Sequence, residues 1–431
     1  MRYLALLLSS FLLLSACGGG GASGETAPLD ITQNNYSNLF AYNSSGKYNK
    51  TLKECASVTN PSFSCTLVKL PLLGQDTMNP SDQDILDRLV VSHQWMGDRF
   101  KTLLPELPID LKRMFRAVTT IVIDDDIRPS YYWPGSGAIH IDAEYFWLTE
   151  KERDTISKRE DPRNNYGNDL KWINIERYSI NNQLVYMGGP LNGKFERPLN
   201  YLIYPLANVL YHELAHANDY APPFSLSSID KSDTIFAALS KNSDNYLTKN
   251  LYDSSPLRSN ELVDFGNILY RGKKATDNQK NVLADYVGAL FGADTANRFY
   301  SYSTPFEDTA NLFTEAMMKY NYGLLHDTAF INLPTVEKPV YSDYLISWGA
   351  RNRVADPSVK PRAEFIVKNI LPEYDWDTFL PTQTDTVIPM TVGDNWAESL
   401  ISTKSSRRAR SAFIQELSTQ KVPDSDFNMH R

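Results

Sequence analysis

Residues 212–216 read His-Glu-Leu-Ala-His in a chain that has only six histidines. The preceding residues, 201–211, are mostly apolar at helical spacing, and Pro222 follows shortly after the motif, so the pattern predicts a buried helix. A fold that buries two imidazoles and a carboxylate must provide partners for them, because unpaired buried polar groups are costly. This helix is therefore the strongest single constraint on how the chain folds.

The spacing of the two histidines suits a metal ion. Positions i and i+4 lie on one face of a helix, so His212 and His216 can direct two imidazole nitrogens at one ion. Glu213 directly follows the first histidine, and from there its carboxylate can reach a water molecule beside the ion and act as general base. A surface helix with two satisfied histidines is the alternative. We predict Zn²⁺ as cofactor, with Glu213 as the catalytic residue.

The stretch His-Glu-Leu-Ala-His-Ala-Asn-Asp-Tyr (212–220) resembles the active-site helix of zinc metallopeptidases of the zincin type, and especially the thermolysin-like helix. Metzincins add a third histidine after a glycine turn, but residue 219 is Asp and no histidine follows before His326. The resemblance therefore implies the gluzincin arrangement, in which a second helix supplies a glutamate. Asp219 lies about 10 Å along the helix from His212 and is expected to be a polar partner, not a ligand.

The expected third ligand is Glu307, in the first turn of a segment with helical periodicity, 305–320. Thr304 can cap this helix, and Pro305 suits its first position. In gluzincins an acidic residue four positions after the ligand glutamate holds the other ring nitrogen of a zinc histidine, and Asn311 occupies that place here. The alternatives for the third ligand are Glu261, Glu315 and Asp308.

The resemblance implies hydrolysis of peptide bonds in a peptide or protein substrate. The aminopeptidase-type Gly-x-Met-Glu-Asn signature is missing, which favours an endopeptidase. Gluzincins commonly stabilise the oxyanion with a Tyr or His from the C-terminal part; the candidates are Tyr320, Tyr322, His326, Tyr341 and Tyr344. Two alternatives stay open: a non-catalytic, zinc-containing binding or assembly lipoprotein of the cell envelope, and hydrolysis of another amide such as a peptidoglycan cross-link.

The N-terminus predicts export. Residues 1–16 have one early cation and an apolar run too short to span a bilayer, which is typical of a signal peptide. The end of this run, Leu14-Ser15-Ala16-Cys17, resembles the bacterial lipobox, which implies lipidation of Cys17 and a membrane anchor. Because Gly18 follows, family rules direct such a lipoprotein to the outer membrane. Residues 17–50 predict a flexible tether.

The remaining cysteines, Cys55 and Cys65, are close in sequence and flank a turn at 60–62. In an exported chain this arrangement predicts a disulfide. Net charge is −8, so a basic nucleic-acid footprint is absent and no nucleic-acid partner is expected.

For the body of the chain we predict a zincin-like α+β fold, with a small N-terminal mixed sheet and a mainly helical C-terminal part. Residues 51–400 are expected to form the catalytic domain, with two subdomains around the 200–221 helix, and 401–431 a polar tail. A long helix is expected at 81–104 and strands at 118–124 and 136–142. The last of these is the expected edge strand above the metal, with His140 either facing substrate or exposed.

Overall fold

The computed structural model describes residues 31–161, 163–188, 196–337, 339–376 and 386–400. The predicted signal peptide, Cys17 and the tail 401–431 lie outside these residues. The described chain is α+β, with two five-stranded sheets. None of its helices has the length and apolar content that crossing a bilayer requires.

The first sheet is mixed, as the sequence predicts. Its strands are β1 (Phe40–Ala41), β2 (Leu89–Val91), β3 (Thr120–Asp124), β4 (Tyr131–Trp133) and β5 (Ala138–Asp142). They lie in the order β1-β2-β3-β5-β4; the central three run parallel, and β1 and β4 are antiparallel edges. The expected edge strand, β5, is therefore internal. A turn through Gly137, whose φ of +65° a side chain would strain, folds β4 back along β5 and makes β4 the edge.

Two N-terminal segments differ from the sequence expectation. Residues from 31 onward were expected in the flexible tether, but Ile31 and Leu39 are buried and β1 pairs with β2. Residues 81–104 do not form one helix, because the apolar, β-branched run at β2 is buried as a strand between two short helices.

The C-terminal part is mainly helical, as predicted, but it also contributes three strands to a second sheet that the sequence does not predict. The strands of this sheet are β6 (Trp172–Ile180), β7 (Gln183–Leu184), β8 (Leu325–Asn332), β9 (Ile346–Arg351) and β10 (Ile388–Pro389). They pair antiparallel in the order β10-β9-β8-β6-β7. Residues 326–331 of β8 are all buried, so neither face shows the polar alternation that identifies a half-exposed strand in a sequence.

Helices cover the sheets and connect them. They are α1 (Asn49–Ala56), α2 (Leu73–Asp76), α3 (Asp82–Leu86), α4 (Gln94–Leu103), α5 (Ile109–Met114), α6 (Glu150–Arg153), α7 (Ile203–Tyr220), α8 (Ile235–Lys241), α9 (Leu247–Ser254), α10 (Asn260–Arg271), α11 (Asp277–Lys280), α12 (Ala284–Ala293), α13 (Pro305–Tyr322) and α14 (Lys360–Ile370). Apolar residues of α7 and α13 share one core with the first sheet, among them Leu210, Phe313 and Ile139. This core holds α7 against the sheet on one side and against α13 on another.

A disulfide joins Cys55, near the end of α1, to Cys65. Thr66, the next residue, forms an isolated bridge with Thr234, the residue before α8. The crosslink thus connects the helix beside β1 and β2 to the segment that leads into α8.

Candidate metal centre

The centre lies between α7 and α13, which run in opposite directions. The rings of Tyr211 and Phe313 are 5.9 Å apart, and those of Tyr220 and Phe306 are 5.3 Å apart. This register sets the end of α7 beside the start of α13. The sequence determines that start locally, because the Thr304 hydroxyl accepts a hydrogen bond from the third residue of the helix at 3.2 Å.

His212, His216 and Glu307 converge in this interface. Glu307 Oε2 lies 2.9 Å from His212 Nε2 and 3.4 Å from His216 Nε2, and the two imidazole nitrogens are 3.3 Å apart. All three side chains are buried. Within the described residues, no other group of three His, Cys, Asp or Glu side chains lies close enough together to hold a metal ion.

These residues fit a zinc ion. A tetrahedral ion with bonds of about 2.0–2.1 Å keeps its ligand atoms about 3.3 Å apart. The three spacings here, 2.9, 3.3 and 3.4 Å, agree with that value. Two imidazoles and one carboxylate are also a donor set of catalytic zinc sites, which leave a fourth position for water.

Two of the three candidate ligands, His212 and Glu307, are held in the protonation states that a metal requires, whereas Glu307 raises the pKa of His216 against the effect of burial. Burial lowers the pKa of His212, which favours the neutral imidazole. For Glu307 burial acts in the opposite sense, but the two histidines hold the pKa of this carboxyl well below its usual range. The glutamate is therefore a carboxylate, ready to bind a cation.

Glu213 lies beside the ligands, and it is 5% exposed. Burial raises the pKa of its carboxyl to about 8; Glu307 acts in the same direction, and His216 and the Tyr132 backbone N–H act against it. That N–H donates to the Glu213 carboxylate, which ties α7 to the edge strand β4. Within the described structure, Oε2 of Glu213 is buried without a hydrogen-bond partner. The oxygen is thus available to accept a proton.

Tyr300 borders the ligands from the 3₁₀ turn Phe299–Tyr302, just before α13. Its ring centroid lies 6.2 Å from that of His212 and 4.8 Å from that of Tyr270. The side chain is only half-buried, so it can contact a bound molecule. Nothing in the sequence distinguishes Tyr300 among the 25 tyrosines of the chain, and it is not among the residues predicted above.

Arg163 is close enough for its charge to act on Tyr300 and on the centre. Its guanidinium is clamped by Asp161, with Nη2 donating to Oδ2 at 2.7 Å and Nε to Oδ1 at 3.0 Å. The positive charge interacts with Tyr300 and with both glutamates of the centre, Glu213 and Glu307. This cation was also missed, because it comes from a loop far from the motif in sequence.

The alternatives for the third ligand have other partners. Glu261 is exposed on α10 and accepts a hydrogen bond from the Tyr286 hydroxyl at 2.9 Å. Asp308 pairs with Arg362, whose Nη1 lies 3.3 Å away. Glu315 is buried two turns beyond Glu307 and accepts from Asn297 Nδ2 at 2.7 Å. Of the candidates, only Glu307 joins the histidines.

Asn311 does not take the role that the sequence predicts. Its side-chain amide donates to Ser301 Oγ at 3.3 Å, and its backbone carbonyl oxygen accepts from Asn297 Nδ2 at 2.9 Å. The side chain therefore faces the 3₁₀ turn and not a histidine ring. Asp219 is a polar partner, as expected: it accepts from the Thr248 backbone N–H at 2.8 Å.

Four of the five expected oxyanion donors pack elsewhere, and one of them, Tyr344, is buried against the second sheet. The Tyr320 ring packs against Trp376 at 5.1 Å, and the Tyr322 ring packs against Tyr204 at 5.2 Å. His326 is buried in the second sheet. His140 is neither substrate-facing nor exposed. It is buried on β5, where its ring stacks on Tyr131 at 4.5 Å and burial lowers its pKa to about 3.

Comparisons of the chain with family models, curated proteins and solved structures found no match. The α+β class follows from the coordinates, whereas the zincin-like fold has no support from a solved structure. The functional assignment rests on the residues of the centre: two imidazoles and a carboxylate around one point, with a buried glutamate beside them.

Proposed function

We propose that this protein is a zinc-dependent peptidase with His212, His216 and Glu307 as ligands and Glu213 as general base. The observation that carries the proposal is the convergence of three ligand atoms, all within 4.8 Å of one another, between two packed helices. The third of them comes 91 positions after the motif, so a chance helical pattern does not account for it.

Each group has a task in hydrolysis. His212, His216 and Glu307 would hold zinc, which when bound would polarise the scissile carbonyl and lower the pKa of a water molecule. Glu213 accepts the proton of the attacking water on its unpartnered oxygen, Oε2, and later passes it to the leaving amine. The Tyr132 N–H holds the carboxylate in place meanwhile. Burial suits this role, because raising the pKa of the carboxyl makes its ionised form a stronger base than an exposed glutamate, and a bound cation would favour that ionised form.

A polypeptide is the substrate class that the surroundings favour. Within the described residues β4 pairs with β5 alone, and we propose that an extended peptide pairs with the groups on its other edge that Glu213 does not use. The same strand donates to Glu213 through Tyr132, and the peptide would therefore lie beside the base. Binding along a strand edge suits an internal segment of a chain, which is why we propose an endopeptidase.

We further propose that the enzyme works at the cell envelope, anchored through lipidated Cys17, in the outer membrane. The signal peptide 1–16 and the lipobox resemblance support this location. The Cys55–Cys65 disulfide supports it as well, because disulfides persist in oxidising compartments outside the cytoplasm.

The direct test is metal content together with cleavage. We expect purified protein to hold one zinc per chain and to cleave unstructured polypeptides; a chelator should stop cleavage, and added zinc should restore it. One zinc per chain without cleavage of any peptide in a diverse library would instead favour the alternative of a zinc-containing binding or assembly lipoprotein. Absence of zinc would contradict both.

Tyr300 is our candidate for the donor that stabilises the oxyanion. We expect Tyr300→Phe to lower kcat about 10²-fold, with zinc content unchanged, because the ring stays but its hydroxyl is lost. Steady-state kinetics on one peptide measures this. Tyr270→Phe is the matched control, since that ring packs against Tyr300 at 4.8 Å without facing His212. Equal activities of the two variants would remove Tyr300 from the mechanism.

A further inference from the structure

A cluster of buried charged groups lies between the metal-binding helices and the second sheet. Glu315 of α13 lies 3.9 Å from Arg298 Nε and 3.6 Å from His326 Nδ1, and His326 Nε2 lies 3.3 Å from Glu176. Arg298 and His326 are 0–1% exposed, Glu315 is 1% exposed and Glu176 is 7% exposed. None of these groups has a task in the hydrolysis described above. Burying so many charges is costly unless each is paired.

The cluster also reaches the other metal-binding helix. Arg298 donates through Nη2 to the Tyr178 hydroxyl, and that hydroxyl donates to Asn208 Oδ1 of α7 at 3.1 Å. One chain of contacts, Asn208–Tyr178–Arg298–Glu315, therefore links α7 to α13. Arg298 is its central member, and we call these four residues the Arg298 bridge.

The Arg298 bridge is close to the ligands on both helices. Asn208 precedes His212 by four residues, about 6 Å along the helix, and Glu315 follows Glu307 by eight, about 12 Å. The charge of Arg298 acts on the His212 imidazole itself. Near the other end of the helix pair the Thr248 hydroxyl donates to Asp219, and its oxygen lies 2.8 Å from Thr309 Oγ1 of α13. The ligands thus lie between two polar connections.

We propose that Arg298 is a positioning residue of the metal site, which through Tyr178 and Glu315 fixes the distance between the helices that carry the zinc ligands. A zinc site needs that distance fixed, because two ligands come from α7 and one from α13. Arginine suits the place: its planar guanidinium can bond to the phenol on one side while facing the carboxylate with another nitrogen. The proposal rests on the proposed zinc site.

The test removes single atoms from the bridge. Tyr178→Phe keeps the buried ring but deletes the hydroxyl that joins Arg298 to Asn208. We expect it to raise the Kd for zinc about 10–100-fold, the range seen when groups that orient metal ligands are lost. Zinc affinity is measured by competition with a chromophoric chelator. The visible spectrum of the cobalt-substituted protein should change too, because it reports the ligand geometry.

Three further variants separate positioning from folding. Arg298→Lys keeps a cation between Tyr178 and Glu315 but loses the planar geometry, and should retain more zinc affinity than Arg298→Met. Asp327→Asn is the matched control: Asp327 is fully buried against Arg177 at 3.0 Å and lies next to His326 on the opposite face of β8. It should lower the free energy of unfolding and leave the Kd for zinc unchanged.

The outcomes are distinct. If Tyr178→Phe and Arg298→Met lower stability as Asp327→Asn does but bind zinc as tightly as the wild type, the bridge supports only folding and the positioning role is wrong. If the wild-type protein itself takes up no zinc, the proposed function fails, and the positioning role fails with it. Weaker zinc binding and an altered cobalt spectrum in the bridge variants, but not in Asp327→Asn, would support the proposal.

Discussion

Replacing Glu213 with glutamine should lower kcat/KM for peptide hydrolysis by about 10²–10⁴-fold while the protein keeps its zinc. The amide matches the carboxylate in shape and can still accept the Tyr132 N–H through its oxygen. It cannot take the proton of the attacking water. The three ligands, His212, His216 and Glu307, are untouched, so metal content and the free energy of unfolding should stay close to those of the wild type.

The measurement pairs single-peptide kinetics with zinc analysis of the same sample. Glu261→Gln is the control, because that glutamate is exposed on α10 and bonded to Tyr286, away from the centre. Full activity in a zinc-loaded Glu213→Gln protein would falsify the assignment of the general base. Loss of zinc as well as activity would mean that Glu213 supports the ligands, and the kinetics would then say nothing about proton transfer.

The parts of this centre that the sequence predicts are those specified by local signals. Two histidines four apart, an apolar approach and a following proline define α7 within a single segment. Thr304 and Pro305 define the start of α13 in the same way, which sets Glu307 in its first turn. For these residues local geometry decides which way the side chains point. The pairing of one helix with the other was inferred from the family resemblance.

The parts that were missed depend on contacts between distant segments. β4 is the edge strand only because the chain reverses through Gly137 and pairs along β5. The second sheet joins β6 to β8, although some 150 residues separate Arg177 from Asp327 in the register. Burial on both faces removes the polar alternation there. Strand pairing of this kind cannot be recognised from the sequence of either strand alone.

Asn311 illustrates the limit of a resemblance. It lies one turn after Glu307, on the face of α13 where a contact with a histidine was expected. The 3₁₀ turn before α13, however, brings Ser301 within 3.3 Å of its amide, and this local bond directs the side chain away. The same turn places Tyr300 near His212. This short segment, which has no recognisable motif, thus turns Asn311 away from the histidines and brings Tyr300 close to His212.

Replacing Glu307 with glutamine should remove zinc from the protein. An uncharged amide binds a divalent cation far more weakly than a carboxylate, and we expect the Kd for zinc to rise on the order of 10³-fold or more. Peptide hydrolysis should fall with zinc occupancy. Excess zinc should restore part of it, which distinguishes this variant from Glu213→Gln. Chelator competition and peptide kinetics at several zinc concentrations measure both effects.

The same variant decides between the candidates for the third ligand. Asp308 is held by Arg362 and Glu261 is exposed beside Tyr286, so Asp308→Asn and Glu261→Gln should both leave zinc binding intact. If a Glu307→Gln protein binds zinc as tightly as the wild type, Glu307 is not a ligand. Its contacts at 2.9 and 3.4 Å with the two histidines would then be packing contacts only. A zinc site would then require a third ligand that the present geometry does not bring to His212 and His216.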